Sequence, residues 1–159
     1  MDAYVTRMLE LLGEQDPILV LEATPKVLEA TLLRLGHDVE RPYAPGKWDA
    51  RHILAHLADN ELAAGFRLRQ MVARVGAVQP YDQDSWATRY KKADPAVALE
   101  TFRALRAWNL ALYAGFDMED WLCEVDHPER GLLTVDMMVR MLAGHDLNHC
   151  AQLRQLVES

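Results

Sequence analysis

Two histidine pairs, His52-x-x-x-His56 and His145-x-x-x-His149, carry the most chemistry in this sequence. In an α-helix, residues four apart stand nearly above one another, so two imidazoles at that spacing can grip one ion. Such pairs also serve as ordinary interior hydrogen-bonding groups, so the direction each ring faces decides between the readings. Near the C-terminus, Met138, Leu142, Leu153 and Leu156 define an apolar stripe, and at about 100° per residue His145 and His149 fall inside it. A buried polar ring left unsatisfied costs about 1–3 kcal/mol, and a shared metal would satisfy two at once. Between Asp49 and Val75 the stripe is Leu54, Leu57, Ala64, Leu68, Met71 and Val75, with Glu61 embedded in it. His56 lies at its edge beside Ile53 and Asn60, whereas His52 turns further out and is expected at the surface or behind a ligand. His56 follows Asp49 by seven residues and His149 precedes Val157 by eight, which sets them at one height if the two helices are antiparallel. The spacing therefore predicts that His56, His145 and His149 converge.

Three neutral imidazoles suit zinc, nickel or another late divalent ion and leave coordination positions open, as catalytic sites do. An ion so held lowers the pKa of a bound water or thiol, which is compatible with hydrolysis and with thiol transfer. Asp59, Asn60, Glu61, Asp146 and Gln152 are the polar neighbours able to orient ligands or move protons. Among them Glu61, Asp59 and Gln152 are the catalytic candidates, and Gln152 follows His149 by three residues on the same face. Trp48, Tyr81 and Trp86 are candidate walls of a substrate or cofactor pocket, against the plainer reading of aromatic core. Cys150 points away from the ligand face, and Cys123 and Cys150 are expected to be incidental reduced thiols.

The elements that must position these rings follow from composition and punctuation. Alanine and leucine number 45 against 20 for isoleucine, valine and threonine together, which predicts an all-α fold. Proline and glycine then mark the helix ends. Asp2 to Leu12 reads as a helix stopped by Gly13, and Thr24-Pro25 as the start of a segment ending at Gly36, the two forming one bent arm. Asp49 caps a helix running to about Val75 before Gly76. Asp94-Pro95 opens another that ends near Ala114, and Thr134 with Asp136 begins the last, which reaches about Val157. Four helical units predict a four-helix bundle, and the stretch from Gly76 to Asp94 is long enough to cross it, leaving the second and third helices parallel. Tyr81, Trp86 and Tyr90 should pin that crossover to the bundle, with a short helix over Asp82 to Arg89.

At 159 residues the chain is expected to be one domain, spanning 1–159. The net charge of −7 argues against nucleic acid as a partner. Arg67, Arg69 and Arg74 form a modest basic group, most simply a solvated helix face. With no long apolar run and no leader-like N-terminus, no membrane partner and a cytoplasmic location are expected.

Three stretches together resemble the DinB/YfiT-like superfamily of four-helix bundles. They are Gly46-Lys47-Trp48 leading into His-Ile-Leu-Ala-His-Leu-Ala-Asp-Asn-Glu at 52–61, Tyr81-Asp82-Gln83-Asp84-Ser85-Trp86, and His145-Asp-Leu-Asn-His149-Cys-Ala-Gln152. The resemblance covers nearly the whole chain, and the family's three metal-binding histidines map onto His56, His145 and His149. It implies an up-down-down-up bundle, often a homodimer, and relatives that include thiol S-transferases using low-molecular-weight thiols. Two functions stay open: a metal-dependent thiol S-transferase or hydrolase acting on a small molecule, and a non-catalytic metal-binding bundle serving as a ligand-binding or interaction module.

Overall fold

Asp-capped helices, most of them opened at positions readable in the sequence, build the molecule in a computed structural model that describes residues 2–75 and 77–158. Helix α1 spans Ala3–Leu12, capped by the Asp2 carboxylate and closed by Gly13 at φ 58°. Helix α2 spans Pro17–Leu35, α3 Ala50–Val72, α4 Gln83–Ala87, α5 Pro95–Tyr113, α6 Met118–Trp121 and α7 Val135–Glu158. Asp49 and Asp94 cap α3 and α5 as expected, the Asp49 carboxylate accepting the His52 N–H and that of Asp94 the N–H groups of Ala96 and Val97. Helix α7 begins where Thr134 was expected to start it, with the Thr134 hydroxyl accepting the Met137 N–H.

The four long helices α2, α3, α5 and α7 form a four-helix bundle. Helix α7 packs against α1, α2 and α3, and α5 packs against α3 and α2. Two apolar clusters fill the interior. One joins Val5, Leu12 and Leu21 to Leu68, Met71 and Leu142, and the other joins Leu28 and Leu35 to Ile53, Leu57, Phe102 and Leu153. Helix α1 lies so close to α7 that a Cβ at Gly144 would collide with the Met8 carbonyl, so glycine is required there for the close approach.

The beginning of α2 differs from expectation. The helix starts at Asp16-Pro17, a cap-plus-proline pair as good as Thr24-Pro25, and Pro25 lies inside it. Proline has no N–H for the Leu21 carbonyl four residues back. That carbonyl instead accepts a hydrogen bond from Arg106 Nη1 at 2.8 Å, so the interior proline frees an acceptor that α5 uses. α1 and α2 are thus two helices rather than one bent arm, separated by Gly13–Asp16. Helix α3 ends at Val72, with Arg74 at φ 55°, and Gly76 lies outside the described residues.

The crossover carries the short helix α4 and a 3-10 turn at Tyr90–Lys92, both within reach of α3. An antiparallel ribbon, β1 Glu124–His127 and β2 Gly131–Thr134, departs from the all-helical expectation. Val125 and Leu133 face the core from it, and Gly131 sits at φ 74° where the turn demands a left-handed residue. The three arginines do not form one solvated face. Arg69 donates to the Gly65 carbonyl and to Asn109 Oδ1, Arg67 Nε donates to the Gln79 carbonyl, and Arg74 reaches Cys123 Sγ. Among the described residues no helix is long and apolar enough to cross a membrane.

Candidate metal centre

Helices α3 and α7 are amphipathic and pack face to face, which brings the rings of His56, His145 and His149 together in the bundle. One ligand atom from each lies within 4.8 Å of the others. The rings are 1%, 6% and 7% exposed, so water does not satisfy them freely. His56 Nε2 is 2.9 Å from His145 Nε2, and His149 Nε2 is 3.1 Å from the same atom. Three nitrogens of one kind therefore face a common point.

Electrostatics keeps those nitrogens unprotonated. Burial pushes the His56 pKa down to about 3, with the neighbouring His149 adding to the effect. Burial likewise takes His149 to about 4, against its hydrogen bond to Gln152, which acts the other way. His145 falls well below its ordinary value through burial and the two neighbouring rings. At neutral pH all three rings are uncharged and hold lone pairs.

Hydrogen bonding selects which nitrogen holds the lone pair. His149 Nδ1–H donates to Gln152 Oε1 at 2.8 Å, leaving its Nε2 bare for the shared point. His145 Nδ1 lies 3.4 Å from the Asn60 amide, whose Oδ1 accepts from the Tyr81 hydroxyl at 3.1 Å. His56 Nδ1 is buried with no hydrogen-bond partner among the described residues.

The donor set fits a divalent ion. Four-coordinate zinc sits about 2.0–2.1 Å from each imidazole nitrogen, which spaces tetrahedral ligands about 3.3 Å apart, a few tenths of an ångström beyond the spacing here. Without an ion, nitrogens at these distances need a proton between them, and a single proton can bridge only one of the two close pairs. A cation satisfies all three. The rest of the surroundings leaves room beside it. A cavity of about 140 Å³ is lined by Tyr4, Arg7, Trp48 and all three histidines, and a larger one of about 600 Å³ reaches His145 from the side of Asn60, Tyr81 and Arg67. Three protein ligands with an accessible fourth side is the arrangement of an open site.

The other expected site residues divide. Trp48 lies against the cluster, its ring centroid 5.0 Å from His56 and stacked 6.4 Å from His149. Tyr81 lines the larger cavity, whereas Trp86 packs behind it at 4.8 Å and lines a separate depression with Leu62 and Phe66. His52 stays out of the cluster, its Nδ1 bonded to Asp49. Asp59 accepts the Tyr90 hydroxyl at 2.5 Å. Cys150 lines a groove between α2 and α7 with Leu19, Val20 and Leu147, away from the histidines.

Glu61 is fully buried in a second polar cluster. Its carboxylate accepts from Arg106 Nη2 and from Asn109 Nδ2, each at 2.8 Å, while Arg106 Nη1 donates to Asp146 Oδ2 at 2.7 Å. Burial opposes the charge on Arg106, but Asp146 and Glu61 outweigh it and raise its pKa. Burial in turn raises the pKa of Asp146 against the attraction of Arg106. Gly65 makes room for this cluster, since a Cβ there would strike the Asn109 amide. Arg106 and Asn109 escape sequence reading, because nothing in the spacing of α5 says which polar residues turn inward. The contributions of Tyr4 and Arg7 from α1, and of Glu129 and Arg130 from the ribbon, were equally hidden.

A family model described as the DinB superfamily matches residues 21–153. A candidate metal-dependent hydrolase of Oceanobacillus iheyensis is 27% identical over 139 residues, covering 86% of this chain and 81% of that protein. YfiT of Bacillus subtilis, also described as a candidate metal-dependent hydrolase, is 26% identical over 144 residues, covering 87% and 81%. The solved structure of YfiT superposes with a TM-score of 0.84 at 24% identity over 89% of this chain and 84% of that one. A mycothiol-dependent maleylpyruvate isomerase superposes with a TM-score of 0.71 at 13% identity, over 91% of this chain and 62% of the isomerase.

Proposed function

This chain belongs to the DinB superfamily, and from that premise we propose that it is a metal-dependent enzyme whose ion is held by His56, His145 and His149. The observation that carries the reading is the convergence of three uncharged Nε2 atoms beside an accessible cavity. A divalent ion bound there would supply Lewis acidity, making a water or a small thiol nucleophilic near neutral pH. Zinc and nickel suit the donor set best.

The chain's own residues supply orientation and exclusion. Gln152 fixes the tautomer of His149, and the Tyr81–Asn60 pair steadies the ring of His145. Trp48 covers two of the imidazoles and keeps bulk water from their faces. Glu61 accepts from Arg106 and Asp59 accepts from the Tyr90 hydroxyl, so in this reading both support the helices around the site rather than act at the ion. A small electrophilic substrate enters through the cavity beside His145. The reaction class is thiol S-transfer or hydrolysis, and a cytoplasmic homodimer belongs to the same proposal.

The test is a panel of small electrophiles assayed with the metal-loaded protein in water alone and with low-molecular-weight thiols. Turnover that disappears in His149→Ala supports the enzyme. A parent protein inactive across the panel, with a variant that merely melts earlier, favours the non-catalytic bundle.

A further inference from the structure

The larger cavity has a second functional end. Its lining joins His145 to two arginines from different elements, Arg67 of α3 and Arg130 of the β turn. The Arg67 Nε donates to the Gln79 carbonyl at 2.9 Å, and its guanidinium lies 5.3 Å from the centre of the Tyr81 ring. Its two terminal NH₂ groups make no hydrogen bond or ion pair among the described residues. Arg130 lies 4.0 Å over the Tyr4 ring and gives one nitrogen to Asp2.

A half-buried guanidinium without a carboxylate partner is costly, since a charge leaving water needs pairing. Burial lowers the Arg67 pKa, Tyr81 and Glu129 act against that, and Arg130 adds repulsion. The acids in the cavity do not relieve it. The Asp82 carboxylate is taken up by the backbone of Asp84 and Ser85 and by the Ser85 hydroxyl, and neither Glu129 nor Asp84 forms an ion pair with Arg67. Two guanidinium groups, held on aromatic faces, thus offer unused N–H donors to the same space that His145 closes at the other side.

The geometry points to a carboxylate-binding subsite at Arg67 and Arg130, which holds the non-reacting end of a small carboxylate-bearing substrate or thiol while the reacting end faces the imidazoles. The planar fork of arginine matches a carboxylate with two parallel hydrogen bonds. A cavity of about 600 Å³ is of the size that takes a small molecule. This inference deepens the enzymatic reading, yet the subsite itself is made of protein groups that do not need the ion.

The experiment measures succinate binding to the metal-free protein by calorimetry, with the uncharged succinamide and inorganic phosphate as comparison probes. Succinate is expected to bind, succinamide not to, and Arg67→Gln to weaken succinate by about tenfold or more, the range of a lost charged hydrogen-bond pair. Arg130→Gln, on a separate element, is expected to weaken it as well, while both variants bind zinc like the parent. Equal succinate binding by parent and either folded variant, or none by the parent, overturns the subsite. A preference for phosphate overturns the carboxylate assignment. Mercaptosuccinate against simple dicarboxylates in the zinc-loaded protein then separates a thiol's carboxylate from a substrate's. Zinc stoichiometry, read independently, keeps a failed subsite distinct from a failed metal site.

Discussion

Two polar clusters lie buried in this bundle and meet opposite fates. Around Arg106, donors face acceptors and one cation faces two carboxylates, with the Leu21 carbonyl and Asn109 completing the set. Around His145, three like nitrogens face one another with no complementary group between them. Adjacent residues of α7, His145 and Asp146, belong one to each cluster. The first cluster is largely closed by the protein, with the Arg106 Nε and the Asp146 Oδ1 left without a hydrogen-bond partner among the described residues. In the second, nothing among the described residues closes the point that the three Nε2 atoms face. The difference teaches that burial of polar groups does not by itself mark a functional site; a mismatch in what the buried groups offer one another does.

The sharpest way to break that contrast is to open the closed cluster. Arg106→Met leaves Glu61 and Asp146 without their cation in the core, and the expected loss is about 3–5 kcal/mol in a denaturant titration. Added zinc should not repair it, because the damage is not at the imidazoles. A variant as stable as the parent would show that the network is not holding the helices together.

The open cluster should announce itself through pH. His56 and His149 have folded pKa values of about 3 and about 4, below the ordinary 6.5 they regain on unfolding. The unfolded chain therefore binds more protons below that value, so stability is fully present above pH 6.5 and is lost as pH falls toward 3–4. For one such ring the loss is about 2 kcal/mol at pH 5. Metal-free protein followed by thermal melts between pH 7 and pH 5 should show it, and a flat profile would mean the rings are not buried as uncharged groups.

A smaller effect sharpens the comparison from the side of orientation. Gln152→Ala removes the acceptor that holds His149 Nδ1–H, and metal affinity is expected to fall by about tenfold, read by competition with a coloured chelator. Unchanged affinity would remove Gln152 from any role at the site.

How much of this could be read from the sequence depended on whether a signal was local. The cap residues Asp2, Asp49 and Asp94, and the two i, i+4 histidine pairs, act within one turn, so the long helices and the three rings were legible. The onset of α2 was misplaced because Asp16-Pro17 and Thr24-Pro25 carry the same cap-and-proline signal. What separates them is Arg106, which satisfies the carbonyl that Pro25 leaves free from a segment far along the chain. Glu61 stood out as an acid in an apolar stripe, but its partners lie on another helix and spacing cannot name them. The ribbon at 124–134 was too short to show a pattern against a helical background, and with it Arg130 and the buried His127 went unnoticed.

The central claim is that the mismatched cluster is matched by an ion. Elemental analysis of protein purified without chelator, set beside a parallel preparation of His145→Ala, addresses it directly. The account predicts about one divalent ion per chain in the parent, little in the variant, and a rise in melting temperature when zinc or nickel is returned to stripped parent protein. A parent with no stoichiometric metal whose melting temperature ignores both ions would contradict it.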